Sequence, residues 1–110
     1  MKVEEKGHTV IIRDTQGNAF SFLQKVQQEH NTFLEKNLIL DISLDSNVTL
    51  KTVTEFVPLS KLHRKAKKSF VLVVPEINYN ALPASLVVVP SMLEAHDVIE
   101  MEEIERDLGF

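Results

Sequence analysis

The period of apolar and polar positions changes several times along the chain, and each change marks an element. Lys2 to Lys6 and His8 to Arg13 read as two short strands joined at Gly7. The β-branched Val10, Ile11 and Ile12 suit a pleated surface. Asp14-Thr15-Gln16-Gly17-Asn18 predicts a turn, with Gly17 free to take a positive φ and Asn18 placed to cap a helix. Phe20, Leu23, Val26, Gln27, His30 and Leu34 then recur at three- and four-residue spacing. That spacing predicts an amphipathic helix to about Glu35, with Phe33 widening its apolar face.

Leu38-Ile39-Leu40-Asp41-Ile42 is nearly continuous in apolar residues, the pattern of a strand covered on both faces. Asp45-Ser46-Asn47 breaks it, and Thr49 is a suitable N-cap. From Leu50 to about Ala66, helical spacing links Leu50, Val53, Phe56, Val57, Leu59 and Leu62. Pro58 interrupts it, because proline inside a helix removes a hydrogen bond and crowds the preceding turn. Either a kink or the start of a regular helix is expected there. Phe70 to Val74 and Leu86 to Val89 are two further buried strands, each stopped by a proline (Pro75, Pro90), with only room for a helical turn between them. Ser91 with Glu94 forms a capping box opening a helix to about Asp107; Gly109 marks its end, and Phe110 is placed to pack back on the last turn.

The element order predicts one α/β domain over residues 1–110. Its sheet is mixed and four- to five-stranded, with parallel central strands covered by about three to four helices. At 110 residues, 44% hydrophobic and 25% charged, the composition is that of an ordinary globular protein. With no cysteine, disulfides and thiolate chemistry are ruled out. The charged start, Met1-Lys2-Val3-Glu4-Glu5-Lys6, is unlike a secretion signal, and no apolar run approaches the ~20 residues of a membrane span. A cytoplasmic protein is expected.

The net charge of −4 hides an asymmetry. Lys61, Arg64, Lys65, Lys67 and Lys68 form a basic edge without an intervening acid, whereas Glu94 to Asp107 carries seven acids against Arg106. Cations near the end of a helix favour its negative dipole end. The overall acidity and the absence of interleaved aromatics argue against nucleic acid as the main partner.

Candidate chemistry is sparse. His8, His30, His63 and His96 each sit alone in their own element, none at the spacing of a local metal pair. No Gly-x-Ser-x-Gly elbow is present, and Gly7, Gly17 and Gly109 share no loop that cradles phosphate. The acids Glu102, Glu103 and Glu105 read as a solvated helix face. These residues predict no catalytic, cofactor or metal site, so a non-enzymatic protein is expected.

The strand Asn37-Leu38-Ile39-Leu40-Asp41-Ile42 with its polar loop, the helix from Thr49, the strand Phe70 to Val74 and the closing Leu86–Val89 strand with its Ser91–Leu108 helix resemble the STAS domain. That is the fold of anti-sigma-factor antagonists and of sulfate-transporter tails. The family carries an Asp-Ser-Ser-Gly-like motif in the loop after the central strand, and its second serine is phosphorylated to switch partners. In register, Leu50-Lys51-Thr52-Val53 falls at that motif, with Asp45-Ser46 a few residues earlier and the glycine absent. The resemblance implies a regulatory module that binds a protein through Asp45, Ser46, Asn47, Thr49, Lys51, Thr52 and Glu55, with Thr52, Thr49 or Ser46 as phosphorylation positions. The oligomeric state, monomer or weak dimer, is not fixed by the sequence. The ending Glu94 to Leu108 also resembles short chains that carry the name ribonuclease Z. This sequence has no His-x-His-x-Asp-His metal cluster, so such a likeness implies at most an accessory or neighbour of a nuclease. Weak nucleic-acid binding along Lys61–Lys68 is the remaining alternative.

Overall fold

The computed structural model describes residues 1–109, so the predicted packing of Phe110 lies outside the described residues. Strands β1 (Lys2–Lys6) and β2 (Thr9–Arg13) form an antiparallel hairpin, and β3 (Asn37–Asp41), β4 (Phe70–Val73) and β5 (Val87–Val89) continue the sheet in parallel. The spatial order is β1-β2-β3-β4-β5. The expected mixed α/β architecture, with four to five strands, is the one observed, and its strands number five. Lys6 pairs with Thr9 across a two-residue turn in which Gly7 has φ 61°, a conformation an L side chain resists. Every residue of β1 is exposed, and its lysines and glutamates keep that edge from pairing with another sheet.

Strand alternation sends side chains to two cores. Val10, Ile12, Leu38, Leu40, Ile42, Phe70, Leu72 and Val74 face one side, where α1 (Ala19–Glu29), α2 (Leu50–Thr54) and α3 (Val57–Lys65) bury Phe22, Val26, Val53, Phe56 and Leu59 against them. Ile11, Ile39, Val71, Val73 and Val89 face the other side, covered by Ala95 and Ile99 of α4 (Met92–Asp107). Over the hairpin, α4 gives way to charge: Arg13 pairs with Glu4 and reaches Asp41 at 3.5 Å.

The caps form as read. Asn18, Thr49 and Ser91 accept from the backbone amides of Ser21, Thr52 and Glu94, each satisfying one orphan donor of a first turn. Gly17 takes φ 68° and would bring a Cβ within 3.5 Å of the Leu44 carbonyl. Pro58 sits at the start of α3, where its missing N–H costs nothing, and the chain breaks at Glu55-Phe56 into two helices rather than one kinked one.

Three sequence readings change. The first helix ends at Glu29 and tightens into a 3-10 turn at His30–Phe33, so it stops short of Glu35. Its buried face is phased on Ala19, Phe22, Leu23 and Val26, leaving Phe20 52% exposed. Leu62 is exposed while Ser60 and His63 turn inward. The Ser60 hydroxyl is buried without a hydrogen-bond partner among the described residues. Ser60→Ala is therefore expected to raise stability by about 1 kcal/mol in urea denaturation, since it removes a polar group desolvated for no return.

Candidate functional site

In a parallel sheet each crossover helix begins at the carboxyl ends of the strands, and the N-termini of α1, α2 and α4 gather there. At that edge the loop from Ile42 to Thr49 meets the loop from Val74 to Leu86 around a shallow hollow of about 220 Å³. Asp45, Ser46 and Val48 line one wall, Pro75 and Glu76 the other.

The predicted interface residues divide by the work they already do. Asp45 is committed: its Oδ2 accepts from the Ala19 amide at 2.9 Å and its Oδ1 from the Asn47 amide at 2.9 Å. It ties the loop to the start of α1, so its carboxylate is a brace before it is a contact. Thr49 is spent on its cap, and its Oγ1 lies 3.1 Å from that of Thr52. Ser46, Asn47 and Lys51 are exposed, while Thr52 and Glu55 are half-buried. Among the described residues the Ser46 hydroxyl makes no hydrogen bond, which leaves it the uncommitted one of the three candidate hydroxyls.

The segments that meet at this edge also carry exposed apolar residues. Leu44 is 58% exposed, Leu50 38% and Tyr79 37%. The Tyr79 hydroxyl donates toward the carbonyls of Val74 and Pro75, at 2.5 and 3.0 Å, which fixes the ring beside the hollow. Burial raises its pKa, and the charges of Glu94, in the first turn of α4, and of Glu76 raise it further. Leu44 lies in a turn and joins no apolar period; Leu50 fits the helical period of Val53 and Phe56, yet at the first turn of α2 it stays exposed.

The basic edge lies at the opposite, amino end of the parallel strands. Arg64 is not free: it donates to Glu102 at 3.2 Å and to the Phe70 carbonyl at 3.1 Å. Lys61, Lys65 and Lys67 are exposed and Lys68 is half-buried. Arg64, Lys67, Lys68 and Arg106 border a cleft of about 420 Å³. The reading of Glu102 and Glu103 as solvated acids is corrected here. Both are half-buried, Glu102 against Arg64, and Glu103 against the Asn37 side-chain amide and His8.

The histidines also depart from expectation. His30 and His63, 33 residues apart, meet in the core, 3% and 0% exposed, with His30 Nε2 2.9 Å from His63 Nδ1. His63 Nε2 lies 2.7 Å from the Lys36 carbonyl, which only accepts, so that nitrogen carries the proton. His63 Nδ1 is then the acceptor and His30 Nε2–H the donor. Burial holds the pKa of His63 down at about 4. The hydrogen bond to Lys36 opposes the shift, and the nearby charges of His30, Arg64 and Lys68 reinforce it. Burial lowers that of His30 too. Nothing in either local sequence pairs these two residues; only the packing of α3 against the turn after α1 does.

Among the described residues no three His, Asp or Glu side chains converge as a metal-binding group, and no helix is long and apolar enough to cross a membrane. Compared with models of known protein families and with curated proteins, the chain matches none.

Proposed function

We propose that this chain is a non-enzymatic regulatory module, STAS-like in organisation, that binds a protein partner through the carboxyl edge of its sheet. The observation that carries the reading is that Leu44, Leu50 and Tyr79 stand exposed in the two loops and the helix start that flank the Asp45–Ser46 hollow. Exposed apolar residues ringed by polar ones are the composition of a protein-binding patch. The resemblance to anti-sigma-factor antagonists points to the same loop and the same first half of the helix. Asp45 holds that loop rigid against α1, so little ordering cost accompanies binding. Ser46 is the modification position on this reading: a phosphate there adds charge beside Asp45 and Glu76 and repels an acidic partner surface.

Affinity capture from the cells that make the protein, comparing wild type with the Leu44→Lys/Leu50→Lys double variant, tests this. Both positions are exposed, so the variant is expected to keep its circular dichroism and its denaturation midpoint. At least one captured protein is expected to fall about tenfold, the loss typical when central apolar contacts are charged. Identical capture by both forms counts against the carboxyl edge as the binding surface.

A further inference from the structure

We propose that the outward face of α4 is a second docking surface, built for a protein helix whose apolar stripe is bordered by lysine or arginine. α4 buries Ala95 and Ile99 against the sheet, yet its opposite side is also apolar: Leu93 is 72% exposed, Met101 63%, Ile104 53% and Leu108 66%. At about 100° per residue these four fall within an arc of about 80°, centred opposite the buried pair. They run about 22 Å along the helix axis, the length of four turns. Scattered exposed leucines are ordinary. Four in helical register on one face form a ridge, interrupted once by Asp97 between Leu93 and Met101.

Charge selects the occupant. Asp97 sits within the ridge, Glu100 and Asp107 border one side, and Glu94 and Glu105 border the other. All five are exposed, and none makes an ion pair among the described residues. Arg106, the one arginine of the helix, is turned inward, donating to the Ser69 hydroxyl at 3.1 Å and to Asn37 Oδ1 at 3.2 Å. His96, half-buried, is the only other basic side chain on α4. A second copy of the chain is a poor occupant: a twofold contact between outward faces sets five unpaired acids against five more, and like charges so juxtaposed are costly. The same acids repel an anionic lipid surface. A helix carrying an apolar stripe with basic flanks satisfies both the ridge and its borders, in the way flanking charges select partners in helix pairs.

The surface is distinct from the carboxyl-edge loops, and each is removed by its own variant, so either reading can fail alone. The test uses the full chain, isotopically labelled, and two synthetic helical peptides of about 18 residues with one leucine stripe, bordered by lysine in one and by glutamate in the other. The lysine-bordered peptide is expected to shift amide resonances of α4 and to bind about tenfold or more tightly than the glutamate-bordered one. That binding is expected to weaken at high salt. Met101→Glu/Ile104→Glu, both solvent-facing, is expected to abolish it with the denaturation midpoint retained. Equal binding of both peptides, shifts confined to other elements, or no binding at low salt overturns the proposal. So does a dimer in sedimentation that Ile104→Glu dissolves, or association with anionic vesicles through this face.

Discussion

Replacing Asn37 with leucine is expected to cost about 3 kcal/mol of stability and to loosen α4 from the sheet. Asn37 is fully buried at the start of β3, and its side chain joins three elements. Its Oδ1 accepts from the Ser69 amide at 2.9 Å and from Arg106 at 3.2 Å; its Nδ2 donates to Glu103 at 3.0 Å. Leucine keeps the branched outline, is bulkier, and satisfies none of these. The Ser69 N–H is left buried without a partner, and Arg106 keeps only the Ser69 hydroxyl. Stranding a buried donor costs about 1–3 kcal/mol, more when a charge loses its partner. Urea denaturation reads the total. Hydrogen exchange is expected to locate it, with faster exchange in the second half of α4 than in α1, whose contacts the substitution does not touch. Uniform acceleration across both helices contradicts a clamp specific to α4.

The second large effect is on acid stability. His63 titrates at 6.5 when unfolded and at about 4 when folded, because burial disfavours its charged form. Between those values the unfolded chain binds more protons than the folded one, so stability rises with pH across the window. The contribution is complete above pH 6.5, declines as the pH falls toward 4 and is exhausted there. The span corresponds to about 3 kcal/mol, and His30, shifted the same way, adds to it. The geometry gives the cause. A proton on His63 Nδ1 faces the His30 N–H already donated to it, turning a 2.9 Å hydrogen bond into a contact between two donors. Carboxylates titrate in the same range, so the informative quantity is the difference from a His30→Leu/His63→Leu variant, which removes both members of the pair. Its stability is expected to change less between pH 7.5 and 4 than that of wild type by about 3 kcal/mol. Parallel pH profiles contradict the burial of neutral imidazoles.

Most of the fold was legible because its signals are local. Asn18, Thr49 and Ser91 were recognisable as caps from residue type and position, and Pro58 announced a break that duly falls beside it. Leu38 to Ile42 and Phe70 to Val74 read as strands because both faces are covered, which only apolar residues tolerate. What failed depended on tertiary phase. Phe20 and Phe22 lie about 200° apart on α1, and only its packing on the sheet shows that Phe22, not Phe20, points inward. His30 and His63 carried no mark of their pairing. The outward stripe of α4 was present in the spacing of Leu93, Met101, Ile104 and Leu108, masked by the abundance of acids around it. At the carboxyl edge, the resemblance directed attention to the polar residues Asp45 to Glu55. Leu44 and Tyr79 were hidden in loops, where apolar residues have no period to betray them.

The most direct measurement places a photoreactive amino acid at Leu44, at Leu50 or, as a control, at exposed Gln28 on α1, and irradiates living cells that make the protein. A discrete heavier adduct of the same mass from positions 44 and 50, absent from position 28, is the expected result. Adducts from all three positions alike, or from position 28 alone, contradict a partner seated on the carboxyl edge.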